Sequence, residues 1–249
     1  MGMGRILLLL SAVACAARGG ELTTITIANG DWPPYMGKTL PAGGPVSKLT
    51  EEAFAAEGIR VVYQYMPWRR GLEETRRGRF DGALGWAHTP DRDADFLFTD
   101  AVMTTHIVLF HPKAKPIAWQ NLQDLAPYRL GGVAGFTYGE EFDRLVSAGT
   151  LKLELSTADD INLRKIAVRH LDASPIDREV GLYYLATSLQ AFADRVAYNP
   201  KEIGEAPHYL LIPKGSPQRA ELVERFNRGL AKLRASGQLA GLESSPAAQ

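Results

Sequence analysis

Cysteine and net charge are what this sequence has least of. Its 249 residues include a single cysteine, Cys15, and 28 basic side chains balance 28 acidic ones. A fold held by internal disulfides is therefore excluded, and no overall field would draw the chain onto nucleic acid or an anionic membrane surface. The remaining composition, with 45% hydrophobic and 22% charged residues, is typical of a globular protein with one large core or two modest ones. Any ligand must be recognised locally.

Sequence signatures of common enzymes and metal sites are also missing. There is no phosphate-binding loop and no nucleophile elbow. Asp91, Asp93 and Asp95 alternate like the start of a calcium loop, but that loop needs glycine and glutamate where this chain has Phe96 and Val102. The five histidines never fall at metal-ligand spacing: His88, His106, His111, His170 and His208. We therefore predict no catalytic residue, no metal and no cofactor.

The N-terminal residues 1–20 have the pattern of a secretory signal peptide. Arg5 precedes an apolar run that ends near Ala17 with several small-x-small cleavage patterns, and this run is too short to span a membrane. Cleavage there would leave a mature chain without cysteine, which suits an oxidising compartment. Residues 12–15 (AVAC) also resemble a lipoprotein box, and in that alternative Cys15 is lipidated. We predict export to the periplasm.

Strand and helix signals alternate after this leader. Alternating polar and apolar residues over 24–27 predict a strand, and apolar residues at helical spacing over 45–58 predict a helix. A strand over 60–66, a polar helix over 68–77 and a strand over 81–86 follow. This β-α-β order, which continues along the chain, predicts an α/β fold with helices on the faces of a sheet.

Two similar segments bracket the middle of the chain. Residues 107–113 and 209–214 are each an apolar strand closed by Pro-Lys. The stretch between them has the size of a small α/β lobe, with strands near 130–133 and 151–155 and helices near 140–146 and 160–171. We therefore predict that the two similar strands are hinge crossings.

The last helix returns the chain to the first lobe. It is predicted to begin with Ser216 as N-cap and Pro217 at the first helical position, and its apolar face then packs on the first lobe. The predicted lobes are residues 21–112 plus 208–249 and residues 113–207.

A motif in the middle of the first lobe points to a known family. Residues 80–92 read FDGALGWAHTPDR and residues 96–100 read FLFTD. This pattern resembles the polar amino-acid family of periplasmic substrate-binding proteins, the bacterial extracellular solute-binding proteins of family 3. The likeness covers essentially the whole mature chain, including residues 32–35 (WPPY) and 67–69 (PWR). It implies a two-lobed type II periplasmic binding protein fold.

The resemblance also implies roles for individual residues. Arg92 would bind the α-carboxylate of a ligand in a bidentate manner, a geometry that suits a planar guanidinium. Asp177, five residues after Asp172, would accept the ligand's ammonium group. Thr137, in a loop that opens a helix, would meet the carboxylate with its hydroxyl and nearby backbone N–H groups. The other candidate binding residues are Trp32, Tyr35, Trp68, Gly85, Trp86, Thr89 and Tyr138.

Structural alternatives exist for the two charged candidates. Arg92 could form a surface ion pair with Asp91 or Asp95, as arginines in charged turns commonly do. Asp177 could cap the helix that begins near residue 178, because aspartate is a preferred N-cap; both roles can coexist. The family usually has a small hydroxyl residue where this chain has Ala87, and that departure weakens the case for a standard α-amino acid.

The aromatic candidates could instead be core residues, since large rings are buried on average. For Trp68 the sequence supports a binding role and a core position equally. Trp32 and Tyr35 lie in a proline-stiffened loop at the carboxyl end of a strand, which is where α/β sheets bind ligands. We therefore predict that these two form a stacking wall.

The combination of a cation, an anion and a helix terminus suits a zwitterion. We predict a monomeric binding protein, not an enzyme, that closes its lobes on a small amino-acid-like or carboxylate ligand. The resemblance implies delivery to the membrane permease of an ABC transporter. Two alternatives remain open: a ligand sensor module, and a dehydratase-like enzyme using Glu140, Glu179 or Glu205 as an acid.

Overall fold

A computed structural model describes residues 23–215 and 217–237. The predicted signal peptide, the lipidation alternative at Cys15 and the predicted N-cap Ser216 lie outside these residues. Within the described ranges, no helix combines the length and the apolar character that crossing a membrane requires.

The main sheet is mixed and contains seven strands. They are β1 (Thr23–Asn29), β2 (Ile59–Tyr65), β3 (Gly82–Ala87), β4 (Phe96–Phe98), β5 (Met103–Pro112), β8 (Ser174–Asp177) and β9 (Val196–Pro213). Their order is β2-β1-β3-β9-β5-β8, with β4 beside β9. β1 pairs in parallel with β2 and β3, whereas β9 runs antiparallel to β3, β4 and β5. A smaller parallel sheet joins β6 (Leu130–Val133) to β7 (Leu153–Ser156).

The helices connect successive strands, as the alternating sequence pattern predicts. They are α1 (Pro45–Ala55), α2 (Trp68–Arg76), α3 (Glu140–Ser147), α4 (Asp159–Ala167), α5 (Arg178–Ala186) and α6 (Pro217–Ala235). Short 3-10 helices cover Pro41–Gly43, Leu122–Leu125 and Gln190–Arg195. The predicted helices are confirmed, with ends that differ by up to four residues.

The elements fall into two halves joined by β5 and β9. In the first half, α1, α2 and α6 pack against β1 to β4; in the second, α4 and α5 pack against β5 and β8, and β6 lies beside β8. β5 and β9 pair antiparallel from Met103 opposite His208 to Pro112 opposite Val196, so both strands extend into both halves.

The structure differs from the sequence prediction at three strands. The first hinge strand, predicted over 107–113, begins at Met103. The second hinge strand, predicted over 209–214, begins at Val196. Its first part carries charged residues, glycine and proline without apolar alternation, so pairing with β5 rather than local pattern holds it extended. β4 was not predicted because its three residues, Phe96–Phe98, are too short to show a period.

The last helix packs on the first half, as predicted. Phe226, Leu230 and Leu233 on α6 are buried, and the rings of Phe226 and Phe54 lie 5.1 Å apart. This face of α6 therefore closes the core around α1.

Candidate ligand-binding site

A cavity of about 440 Å³ lies beside β5 and β9, and both halves of the molecule contribute to its wall. Most of the predicted binding residues line it: Trp32, Trp68, Gly85, Trp86, Arg92, Thr137, Tyr138 and Asp177. The other two, Tyr35 and Thr89, do not line the cavity but contact residues that do. Thr105, Asp159 and His208 also line it, and the sequence did not single them out as ligand-binding residues.

Arg92 lies in the turn after β3 and is only 8% exposed. Its backbone N–H donates to the Thr89 carbonyl at 2.9 Å, so Thr89 shapes the turn. Its Nη1 donates to the Ala87 carbonyl at 2.5 Å, and its guanidinium carbon lies 4.8 Å from the centre of the Trp86 ring, a cation–π contact. Among the described residues, Nε has no hydrogen-bond partner. The guanidinium is therefore held in place, but it keeps hydrogen-bond donor capacity for a ligand.

The ion pair considered as an alternative for Arg92 is not formed. Asp95 instead accepts a hydrogen bond from Nε of Arg76 at 2.6 Å. Burial lowers the pKa of Arg92, and the negative charge of Asp91 partly offsets this effect. An arginine in this position stays charged because its ordinary pKa is far above neutrality.

Among the described residues, the tryptophan, phenylalanine and tyrosine side chains that line the cavity are Trp32, Trp68, Trp86, Phe136 and Tyr138. Trp32, in the loop after β1, lies 5.3 Å from the Tyr35 ring and 6.2 Å from the Phe136 ring. Trp68 begins α2 and packs edge-on against Trp86 at 5.6 Å. The contact between Trp32 and Phe136 joins the two halves of the molecule across the cavity.

Gly85 makes the bend that opens β3 toward the cavity. It lies at a β-bulge with a φ of +83°, a conformation that favours glycine, and a Cβ there would come within 2.9 Å of Met36. The Gly85 carbonyl lies 3.2 Å from Nδ1 of His208. Because a carbonyl can only accept, Nδ1 carries the proton in this contact. Nε2 lies 3.1 Å from the Thr105 hydroxyl oxygen, and that hydroxyl also hydrogen-bonds to the Ala206 carbonyl at 3.1 Å.

His208 is a neutral wall residue at pH 7. Loss of water around its ring lowers its pKa to about 4, and the positive charge of Arg92 acts in the same direction. Its ring lies 4.9 Å from that of Trp32. The cavity therefore gains a fixed polar dipole here but no charge.

Asp177 ends β8 and is 3% exposed. Oδ1 accepts hydrogen bonds from the Val180 N–H at 3.0 Å and the Tyr35 hydroxyl at 2.9 Å, and Oδ2 accepts one from the His106 N–H at 3.1 Å. Burial raises the pKa of Asp177 to about 6, although these three donors favour the charged form. The helix-cap role considered above is thus present, on a side chain that also lines the cavity.

Asp159, the first residue of α4, is a second buried carboxylate on the cavity wall, 5% exposed. Burial and then the charge of Asp177 raise its pKa to about 7, while the nearby Trp32 indole favours the charged form. Within the described part of the chain, neither Oδ1 of Asp159 nor Nε1 of Trp32 has a hydrogen-bond partner of normal geometry. The carboxylate and the indole face each other from opposite halves of the molecule, but neither of these two atoms has its hydrogen-bonding capacity filled within the described part of the chain.

The loop between β6 and α3 places Thr137 on the wall, but not at a helix terminus. α3 begins three residues later, with Gly139 as its N-cap. The hydroxyl of Tyr138 accepts from the Val133 N–H at 2.6 Å, and the Tyr138 N–H donates to Asp143 at 3.0 Å. The loop therefore uses the backbone N–H of Tyr138 internally.

Residues 25–245 match the family model of the bacterial extracellular solute-binding proteins, family 3. The chain belongs to this family. No curated protein matches the sequence at a significant level.

Solved structures with the same fold include proteins of different roles. A histidine kinase sensor domain with similarity to periplasmic binding proteins has a TM-score of 0.73 and 23% identity, covering 88% of this chain and 93% of that one. An amino acid ABC transporter substrate-binding protein from Streptococcus pneumoniae, bound to L-arginine, has a TM-score of 0.71 and 19% identity, covering 88% and 92%. An ancestral amino acid-binding protein, a precursor of cyclohexadienyl dehydratase, has a TM-score of 0.69 and 20% identity, covering 88% and 92%. The predicted two-lobed fold is confirmed.

The acids considered for a dehydratase-like reaction do not line the cavity of this solute-binding protein. Glu140, Glu179 and Glu205 are all absent from its wall. Glu179 is buried, and its Oε1 accepts from Nε of Arg178 at 3.0 Å. Among the described acids, the buried ones on the wall are instead Asp159 and Asp177.

One described group of side chains has the geometry to hold a metal ion. Ligand atoms of His106, Glu202 and Glu205 lie within 4.8 Å of one another. They lie on β5 and β9 and are largely exposed, and Nη1 of Arg178 lies 4.0 Å from Glu202, where its charge competes with a cation. Sequence spacing missed this group because strand pairing brings distant residues together.

A positional signal for Asp159 was present in the sequence. Asp159 and Asp160 resemble the acids that commonly begin a helix. They also follow a strand within the second lobe, at the carboxyl end where α/β sheets bind ligands. In the sequence, His208 stands out only as a possible metal ligand, and Thr105 carries no local signal.

Proposed function

We propose that this solute-binding protein captures a small amino-acid-like carboxylate between its lobes and delivers it to the membrane permease of an ABC transporter. The observation that carries the proposal is Arg92, a buried arginine whose Nε has no hydrogen-bond partner in the described ranges, on a cavity that Asp177 also lines. A buried guanidinium without a counter-ion is costly, so an anionic ligand group stabilises it.

The ligand's two charged groups have distinct partners in this proposal. Its carboxylate binds the guanidinium of Arg92, with Thr137 as a further donor. Its ammonium group binds Asp177, because a carboxylate has about four acceptor positions and three of them are occupied. The aromatic wall covers the rest of the ligand.

We propose that the lobes are residues 21–112 plus 208–249 and residues 113–207, with β5 and β9 as the hinge. The contacts that cross between the lobes include the Tyr35–Asp177 hydrogen bond and the Trp32–Phe136 ring contact. Closure excludes water and strengthens the ionic contacts with the ligand. The closed form is the one that a permease recognises.

We further propose that residues 1–20 direct export to the periplasm and that the mature protein acts as a monomer. The family consists of extracellular proteins, and that supports export. Lipidation at Cys15 is the alternative way to keep the protein at the membrane surface.

Two other roles have support from particular observations. Asp159 has a pKa of about 7 on the wall of a partly aromatic cavity, which would suit a proton donor in an enzyme related to the dehydratase lineage. The likeness to a histidine kinase sensor domain suits a sensor. Turnover of a bound carboxylate, lost in Asp159→Asn, would establish the enzyme, and a signalling gene beside this one would favour the sensor.

Titration calorimetry with a panel of amino acids, amines and carboxylates tests the proposal. We expect Arg92→Lys to bind the best ligand at least about tenfold more weakly, because lysine keeps the charge but loses the two-pronged geometry. Arg77→Lys, on an exposed arginine at the end of α2, is the control and should bind normally. If no compound in these classes binds the wild-type protein, the proposed function is wrong.

A further inference from the structure

Charge does not balance inside the cavity. Three charged side chains on its wall are almost fully buried, namely Arg92, Asp159 and Asp177. One cation and two carboxylates leave an excess of one negative charge when both acids are ionised. His208 does not correct this excess because it is neutral at pH 7.

The other charged residues on the wall do not correct this excess either. Arg69 and Arg76 on α2 are balanced in number by Glu73 and Asp91, and all four line the cavity. Arg76 is engaged, since it hydrogen-bonds to Glu73 and to Asp95. The uncompensated charge therefore lies in the interior, at the second carboxylate.

The position of Asp159 at a helix start does not explain its burial. Asp160, the next residue, already supplies a first-turn acid, is partly exposed and lies 3.7 Å from Arg164. An acid at a helix N-terminus is normally stabilised in its charged form, yet the pKa of Asp159 is raised. Asp159 is thus buried against its own electrostatic preference, with Oδ1 lacking a partner in the described ranges.

We propose that Asp159 is a second anionic subsite and that the natural ligand carries a second cationic group in addition to its α-ammonium and carboxylate. The ligand class is that of basic amino acids and similar carboxylates with two cationic groups. This inference rests on the proposed function. A neutral zwitterion would pair with Arg92 and Asp177 and leave the buried Asp159 without a cationic partner, whereas a ligand with a second cation pairs with all three.

The ring beside Asp159 suits such a group. The Trp32 indole lies close enough to influence the Asp159 carboxylate and is flanked by Phe136 and His208. A guanidinium or ammonium group that pairs with Asp159 can also lie against the face of the indole, where a cation–π contact adds to the attraction.

Matched ligands isolate the second charge. Calorimetry at pH 8, where Asp159 is mostly ionised, compares L-arginine with L-citrulline, in which a neutral urea replaces the guanidinium. It likewise compares L-lysine with L-norleucine, which lacks the side-chain ammonium. We expect at least one cationic member to bind about 100-fold more tightly than its neutral partner, as measured for close charge pairs that exclude water.

Two variants assign that difference to one residue. In Asp159→Asn, the affinities of the two ligands in each pair should differ by no more than about threefold. Asp160→Asn, a substitution of the neighbouring residue on the same helix, should leave the wild-type preference for the cationic ligand unchanged. Near pH 7, binding of the cationic ligand to the wild-type protein should also release a proton from Asp159, so its binding enthalpy should depend on the buffer's ionisation enthalpy more than that of the neutral ligand. This comparison of buffers uses only wild-type protein, so it tests the pairing of Asp159 with the ligand even if Asp159→Asn fails to fold.

The outcomes separate this inference from the proposed function. Wild-type protein that binds neutral or acidic amino acids as tightly as basic ones, through Arg92, would keep the proposed function and overturn the second subsite. A preference for basic ligands that survives in Asp159→Asn would also overturn it. Failure of every amino acid to bind would refute both the proposed function and the second subsite.

Discussion

Asp177 and Asp159 show how similar carboxylates acquire different properties from their surroundings. Asp177 is buried, but it accepts hydrogen bonds from Val180, Tyr35 and His106, and its pKa rises only to about 6. Asp159 is about as buried, its Oδ1 has no hydrogen-bond partner among residues 23–215 and 217–237, and its pKa rises to about 7. Burial raises the pKa of both groups, but the three donors to Asp177 favour its charged form, whereas the charge of Asp177 adds to the effect of burial at Asp159.

The raised pKa of Asp159 predicts a pH-dependent stability. The carboxyl is ordinarily ionised above about pH 4 in the unfolded chain, but it ionises in the folded protein only near pH 7. The folded state binds more protons between these values, so this group's contribution to stability falls as pH rises through that window. We expect the melting temperature of ligand-free Asp159→Asn, relative to wild type, to be higher at pH 8 than at pH 5.

Comparison with Asp160→Asn controls for the general loss of an acid at the start of α4. His208 acts with the opposite sign, because its lowered pKa makes the folded protein less stable as pH falls below about 6.5. Only the difference between variant and wild type therefore isolates Asp159. A difference that does not change with pH would contradict its unusual ionisation.

The contact between α1 and α6 determines how the end of the chain closes the first lobe. Gly229 on α6 lies against the α1 backbone so closely that a Cβ would come within 1.9 Å of the Ala53 carbonyl oxygen. Backbone cannot rotate away as a side chain can, so the two helices would have to separate. The pairing of Phe54 with Phe226 depends on the same close approach.

We expect Gly229→Ala to lower the free energy of unfolding by about 3 kcal/mol, the upper part of the range for overpacked sites. The gain in helix propensity from alanine, about 1 kcal/mol, offsets the loss only partly. Denaturant unfolding measures the change. Glu224→Ala, at an exposed position of the same helix, is the control and should change stability by less than about 0.5 kcal/mol. A Gly229→Ala variant as stable as wild type would refute the close packing of α6 on α1.

At the scale of the whole molecule, the Tyr35–Asp177 hydrogen bond is a direct link between the proposed lobes. Tyr35 belongs to the loop after β1, whereas Asp177 ends β8, and their atoms are 2.9 Å apart. A hydrogen bond to a charged or partly charged acceptor is stronger than a neutral one. This bond therefore favours the closed arrangement with or without ligand.

We expect Tyr35→Phe to shift the ligand-free protein toward a more open form and to weaken ligand binding about tenfold, since closure must then occur without this bond. Small-angle scattering measures the opening as a larger radius of gyration, and calorimetry measures the affinity. Tyr63→Phe removes the hydrogen bond from the Tyr63 hydroxyl to the Ser47 carbonyl within the first lobe. It should change neither the radius of gyration nor the affinity. Equal effects of the two substitutions would contradict a role of Tyr35 in closure.

Local periodicity and a short continuous motif around Arg92 were enough to predict the alternation of strands and helices, the family and many of the wall residues. The three-dimensional fold was needed to show that β9 begins at Val196 and that Asp159, His208 and Thr105 line the same cavity. Pairing partners and burial depend on residues far apart along the chain, and a local pattern carries no information about them. The same reason explains why Tyr35 lies behind Asp177 rather than on the wall.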